Sequence, residues 1–307
     1  MPRGESQLGP LRVTWEVPDE MPEAAGGLEH LAPGADLAPA VRWEIELGAP
    51  GPLPDAHDAF FGDVRVQLGA DAVRVVSPDA DLRVDGGGVR GRVRARASLP
   101  ASIALHALAA HAGLTHLHAA VVQLGDLTIL APGGSGAGKT RLALAVAGAG
   151  GELLTDDVVY VDGSGIAEPV RRPPHVTEDT RARFALRALG PVKDGLLPKQ
   201  RVPAPRGGPA PRARIDRLVF PEIARVGVTR VAPIDDVDVF RGLLASSAFA
   251  MLEGAPGRES MLDTLAALAE LPAARLLAGP DARATPAVLV DTLRRWLADP
   301  ALTRARR

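Results

Sequence analysis

Residues 133–140 read Gly133-Gly134-Ser135-Gly136-Ala137-Gly138-Lys139-Thr140 and fit the phosphate-loop spacing G-x-x-x-x-G-K-[ST]. Such a loop turns tightly on its glycines and aims backbone N–H groups at phosphate oxygens, while the helix behind it offers its positive end to the same charge. The lysine then reaches the outer phosphates and the threonine hydroxyl meets magnesium. Asp156 and Asp157 follow about sixteen residues after Thr140, room for one helix and one short strand. That places them at the end of a neighbouring strand, where one carboxylate can hold magnesium and another can accept a proton. His116 and His118 precede the loop strand; two apart, both face one side of a strand, and one of them can reach the aspartate pair. The chemistry these residues suit is phosphoryl transfer with ATP and Mg2+. Arg171, Arg172, Lys199 and Arg201 are further candidates for contacts to phosphate or substrate.

The elements that must position these groups are legible around them. LTIL, then APGGSGAG, then KTRLALAVA supplies strand, loop and helix in the required order. Before the loop strand, HLHAAVVQL and LTIL flank Gly125-Asp126 as a hairpin. After the helix, ELLTDDVVYVDGSGIAEPV reads as a short strand, the aspartate pair, a second strand, a turn and a return strand. From Leu11 to about Arg96, alternating runs such as LRVTWEV, VRWEIEL and DAVRVV, broken by glycine, proline and aspartate, predict antiparallel strands and hairpins. Residues 100–113 switch to alanine-rich helical spacing. Further helices are predicted over 176–190, with Thr177 as cap, and over 235–252, 258–271 and 286–298, the last announced by Thr285-Pro286. The stretch PAPRGGPAPRAR (203–214) reads as a mobile basic loop without regular structure, suited to act as a lid.

Composition bounds the function. In 307 residues, 35 basic and 37 acidic side chains leave a net charge of -2, and aromatics make up 3%, which argues against nucleic-acid and membrane-surface partners. There is no cysteine, which excludes disulfides and thiolate metal sites. The opening MPRGESQLGP has no apolar leader and no run is long enough to span a membrane, so a cytoplasmic protein is expected. Lysine occurs only at Lys139, Lys193 and Lys199; one of the three sits in the phosphate loop. Neither an LSGGQ-type transporter signature nor an NKxD base-reading motif is present.

Taken together, LHAAVV (117–122), GGSGAGKT (133–140) and LLTDDVVYVD (153–162) resemble the catalytic region of the HPr kinase/phosphorylase family, in particular its HPr-kinase-like serine kinases. The resemblance covers residues 100–175 best. It implies an α/β (α+β) fold with a mixed-sheet P-loop core akin to phosphoenolpyruvate carboxykinase, preceded by a β-rich region over 1–99 and continued by C-terminal helices within 100–307. It also implies roles: Lys139 as nucleotide-phosphate ligand, Thr140 and Asp157 on magnesium, Asp156 as the base toward a serine hydroxyl, and His118 as the residue that positions the pair. The glutamate-bearing signature that true HPr kinases carry after the aspartates is missing. The segment PKQRVP (198–203), with Lys199 and Arg201, is the candidate for holding the acceptor or the transferring phosphoryl group.

The expected activity is ATP- and Mg2+-dependent phosphorylation of a hydroxyl on a peptide, protein or small molecule. Two alternatives stay open on the sequence: a nucleotide-binding module without turnover, and a carboxykinase-like enzyme acting on a small organic acid.

Overall fold

The computed structural model describes residues 2–25, 27–31, 40–51, 59–69, 71–94, 98–190, 198–205 and 210–299. The protein is a mixed α/β protein with two mixed β-sheets, of eight and nine strands, and seven α-helices among the described residues. None of those helices is long and apolar enough to cross a membrane. The chain divides into two compact units: Met1–His116 with Tyr160–Ser164 and Ser247–Thr264, and Leu117–Val159 with Gly165–Ser246 and Leu265–Arg307.

The first unit is built on β1 (Arg3–Leu8), β2 (Leu11–Glu16), β3 (Ala40–Leu47), β4 (Ala59–Phe61), β5 (Val64–Leu68), β6 (Ala72–Ser77), β7 (Ala80–Asp85) and β8 (Gly88–Val93). Their order in the sheet is β1-β2-β3-β8-β7-β6-β5-β4. Alternation decides which face is buried: in β3, Val41, Trp43 and Ile45 point inward while Arg42, Glu44 and Glu46 point out. The indole of Trp43 is fully buried and donates to the carbonyl of Ala24 at 2.9 Å, so its one polar atom is satisfied. Helix α1 (Ser98–His111) packs on β6, β7 and β8 and is apolar nearly all round, as a fully covered helix must be. The expectation of antiparallel strands throughout fails at β3, which pairs in parallel with both β2 and β8. Alternating runs and turn residues mark strands, but they do not say which strand each one pairs with.

The nine-stranded sheet carries β9 (Thr115–Leu124), β10 (Leu127–Pro132), and, after α2 (Lys139–Gly148), β11 (Glu152–Thr155), β12 (Val158–Val161) and β13 (Ile166–Val170). The chain continues through β14 (His175–Val176), α3 (Glu178–Arg183), β15 (Gln200–Arg201), β16 (Ala213–Arg214), β17 (Arg217–Ile223), β18 (Arg230–Ala232), α4 (Asp236–Ala245), α5 (Arg258–Ala269), β19 (Ala273–Ala278), α6 (Pro280–Ala284) and α7 (Ala287–Ala298). The sheet order is β16-β13-β12-β9-β10-β17-β19-β18, with β11 also on β9; β14 and β15 form a separate pair. β10 lies between β9, antiparallel, and β17, parallel. Leu142, Val146, Ile129, Val219, Leu293 and Trp296 belong to one buried cluster that fixes α2 and α7 against the sheet.

Several boundaries differ from the sequence reading. Thr177 does cap α3, its side chain accepting from the N–H of Thr180, but the helix stops at Arg183, and Ala185 has a left-handed φ of 48° that helical backbone cannot hold. Thr285 is not the cap of α7: it closes α6, and Pro286 stands in the cap position. The predicted helix over 235–252 resolves into α4 and a single 3-10 turn at Phe249–Met251. The basic stretch 203–214 is not wholly irregular, because Ala213–Arg214 forms β16 against Ile166 and Ala167; residues 206–209 of it lie outside the described residues.

Candidate functional site

The phosphate loop joins β10 to α2, so strand, loop and helix follow in the order its chemistry requires. Gly136 and Gly138 take left-handed φ values of 86° and 106°, which side-chain-bearing residues adopt only at a cost. Residues 134–136 form the exposed crest of the loop, while Lys139 is 5% exposed.

Lys139 Nζ donates to the carbonyls of Gly133 at 2.6 Å and Gly134 at 3.0 Å, and to His118 Nε2 at 2.9 Å. An ammonium has only donors, so Nε2 of His118 accepts and Nδ1 carries the proton. That proton goes to Asp157: Nδ1 lies 3.0 Å from Oδ1 and 3.1 Å from the backbone carbonyl of the same residue. His118 is itself set by its backbone N–H, which donates to the carbonyl of Ser246, the residue closing α4, at 2.8 Å. A second pair stands beside this relay, Thr140 Oγ1 donating to Asp156 Oδ2 at 3.0 Å.

The aspartates reach the loop by an indirect route. Their strand, β11, pairs with β9 rather than with β10, so one strand separates it from the loop strand. The register shifts between Leu153 and Thr155, an irregularity of the kind that re-aims side chains beside functional sites. It hands the chain into Asp156 and Asp157, and the carbonyl of Asp157 accepts from the N–H of Ala119 at 3.2 Å.

The electrostatics of the four groups differ. Burial pushes the Lys139 ammonium down to about 8, Lys199 adding to the effect while Asp157 and Asp156 oppose it. Burial and the neighbouring charge of Asp157 push the Asp156 carboxyl up to about 6 against the Thr140 hydrogen bond and Lys139. Burial also works to raise Asp157, but the hydrogen bond from His118 and the positive fields of Arg172 and Lys139 outweigh it and hold the carboxyl below the usual range. Asp156 is 7% exposed, whereas the side chain of Asp157 is 48% exposed.

Of the other candidates, Arg172 and Lys199 contribute positive charge to this group, through Asp157 and Lys139 respectively. Arg201 is exposed on β15 and lies near Gly190. Arg171 is buried in an ion pair with Glu152 at 2.6 Å and bonds the carbonyl of Leu154, a structural role that removes it as a substrate contact. His116 stacks on His106 with ring centroids 3.7 Å apart, so of the two histidines His118 is the one that meets the aspartates. Sequence reasoning missed a cluster around the second residue of the helix after the lysine: Arg141 and Arg183 both bond Asp179, at 2.9 and 2.6 Å, and Arg183 also donates to the carbonyl of Arg283. Asp179 and Arg183 stand four apart on α3, a spacing a helix brings together, but Arg141 and Arg283 come from distant parts of the chain and carry no linear signal of their meeting.

Among the described residues no group of three His, Asp or Glu side chains is arranged to hold a metal. Thr140 and Asp156 nevertheless offer two hard oxygen ligands at hydrogen-bonding distance from one another, the donor set that suits magnesium, which takes one or two protein oxygens and completes its shell with phosphate and water. No family model matches this chain, and no curated protein matches it.

Proposed function

We propose that the chain is an ATP- and magnesium-dependent phosphotransferase of the HPr-kinase-like serine kinase type, moving a γ-phosphoryl group to a hydroxyl, with serine the expected acceptor. The observation that carries this reading is the continuous relay Lys139–His118–Asp157 at the mouth of a phosphate loop, with Thr140–Asp156 as a separate pair beside it. A loop that only held nucleotide would need no carboxylate oriented by a histidine.

The contacts favour exchanging the two aspartate roles that the family resemblance implies. Asp156 bonds the threonine expected on magnesium and is almost fully buried, so it suits the metal side. Asp157 is half exposed, reachable by an incoming hydroxyl, and oriented by His118. The raised affinity of Asp156 for protons would by itself favour it as the base, but geometry ranks first for a general base, and a buried metal-ligand carboxylate awaiting its cation is expected to be raised in the same way. Magnesium bound at Thr140 and Asp156 would neutralise charge on the outer phosphates.

In the proposed step Asp157 accepts the acceptor O–H proton as that oxygen bonds to the γ-phosphorus and the bond from phosphorus to the β–γ bridging oxygen breaks, releasing ADP. Lys139 exchanges its loop carbonyls for phosphate oxygens and so offsets the charge on the leaving group. His118 keeps the Asp157 carboxylate turned toward the acceptor. Catalysis of this kind is mainly positioning and electrostatics.

The test is transfer of label from γ-labelled ATP with magnesium to a library of serine-, threonine- and tyrosine-bearing peptides and small alcohols, alongside calorimetry of Mg-ATP. Binding together with label on a hydroxyl product supports the reading. Absence of Mg-ATP binding by the folded protein would end it.

A further inference from the structure

The first turn of α2 has two functional faces. Lys139 and Thr140 turn to the carbonyls, histidine and aspartates described above. Gly138 and Arg141, three residues apart, share another side, and what gathers there has no part in the relay.

Beside Gly138 stand Pro221 and Ile223, at the C-terminal end of β17: a Cβ built on the glycine would lie 3.7 Å from Ile223 Cγ1 and 4.0 Å from Pro221 Cβ. Pro221 is buried and Ile223 is 39% exposed, and past Arg225 the connection from β17 to β18 holds Val226 79% and Val228 68% exposed. It is a fixed loop. The N–H of Ala224 donates to the carbonyl of Ala278 at 2.9 Å, Thr229 donates through its N–H and hydroxyl to Asp281 Oδ1 at 3.0 and 2.6 Å, and Gly279 N–H donates to Thr229 Oγ1 at 3.0 Å. Apolar side chains held out into water on an anchored loop indicate something to be covered. Beside them on the helix, Arg141 closes on Asp179, whose side chain stays 50% exposed and is shared with Arg183.

A nucleoside triphosphate has the matching polarity: a charged tail, then ribose hydroxyls, then a flat base with apolar faces. β17 is the parallel neighbour of β10 on the side away from β9 and the aspartates, and ligands in such sheets lie across the carboxyl ends of adjacent parallel strands. We infer that the β17–β18 connection, with Ile223, receives the base, and that Asp179, held by Arg141, receives the ribose hydroxyls, so that the phosphoryl donor is a nucleoside triphosphate and not an inorganic polyphosphate. This rests on the phosphotransferase reading above and adds to it the place where the nucleoside end of the donor is recognised.

The experiment is calorimetry on the full chain with Mg-ATP and with Mg-tripolyphosphate, for the wild type, the Val226→Ser/Val228→Ser double variant, Asp179→Asn and Lys139→Ala, each checked for an unchanged urea midpoint. The wild type is expected to bind ATP at least about tenfold more tightly than tripolyphosphate. The double valine variant should lose roughly tenfold in ATP affinity while its tripolyphosphate affinity moves by less than about twofold, and Asp179→Asn should show the same selectivity on a smaller scale. Equal wild-type affinity for the two ligands, or ATP binding untouched by the valine substitutions, overturns this inference. The outcome with Lys139→Ala keeps the two readings apart. If it abolishes binding of both ligands while the valine variant behaves as wild type, the phosphate loop stands and the nucleoside subsite falls. If it leaves both affinities unchanged, both readings fall.

Discussion

The outer face of the eight-stranded sheet and the mouth of the phosphate loop are both crowded with charge, yet they use it in opposite ways. On the sheet, register sets Arg74 directly opposite Arg83 and Arg83 directly opposite Arg90, an arrangement that like charges disfavour. Carboxylates relieve it: Arg74 meets Asp81 at 2.8 Å, and Arg83 and Arg90 share Asp85 at 3.5 and 3.7 Å. The arginine heads reach solvent while the carboxylates are partly covered, and pairs at such a surface contribute modestly. At the loop, a single lysine, a histidine and two aspartates are partly withdrawn from solvent and coupled, and three of the four have strongly displaced protonation equilibria. The difference teaches that the number of charges does not make a site; desolvation and convergence do.

The sharpest way to break the comparison is Lys139→Ala. Phosphoryl transfer should fall on the order of 10³-fold with the urea midpoint preserved; a rate near wild type would mean the coupled group has no more function than the sheet face. The next largest effect belongs to the sheet but not to its charges. Trp43→Ala removes a fully buried indole and should destabilise the protein by about 3–5 kcal/mol, read as a drop in the denaturant midpoint with residual activity in whatever remains folded.

The aspartates sharpen the contrast. Because folding raises Asp156 to about 6, its folded form holds a proton that the unfolded chain has released between about pH 4 and pH 6, so its contribution to stability is lost as pH rises through that window. Without magnesium, Asp156→Asn should therefore be more stable than wild type above pH 6, by on the order of 2–3 kcal/mol, and equal to it near pH 3. Urea titrations in chelator at the two pH values decide this, and magnesium should cease to stabilise the variant. Asp157→Asn should leave Mg-ATP affinity within a few-fold and lower transfer on the order of 10²-fold; a lost magnesium response with normal transfer at saturating metal would return the roles to those implied by the family resemblance. The smallest effect is expected from Arg74→Ala, about 1 kcal/mol or less on stability, because its bidentate pair with Asp81 lies at the surface, and none on turnover.

How much of this could be read from the chain depended on whether a signal was local. The strand, loop and helix around 133–140 were legible because two apolar runs flank a glycine-rich turn, and Thr177 because a cap acts within one turn. The pairing of His118 with Asp157 was within reach, since strand, helix and strand lengths bring them near. The hairpin of β9 and β10 was legible too, and what escaped was the meeting of segments distant in the chain: the parallel partners of β3, the strand lying between β11 and β10, and the meeting of Arg141 with Asp179. The proposed division of labour between the aspartates rests on burial, Asp156 being buried and Asp157 only partly so, which two adjacent identical letters cannot encode.

The discontinuity of the first unit has a consequence for how the protein comes into being. Its sheet and α1 are complete by His111, but Tyr160, whose hydroxyl lies 3.0 Å from His106 Nδ1, and the segment Ser247–Thr264 reach the ribosome exit only after the phosphate loop has emerged. During synthesis α1 must therefore wait for these partners while residues of the second unit pass, and the first unit is complete only when more than four-fifths of the chain has been made. No single peptide bond separates the two units, so a gene cut in two at any one codon could not deliver both of them whole.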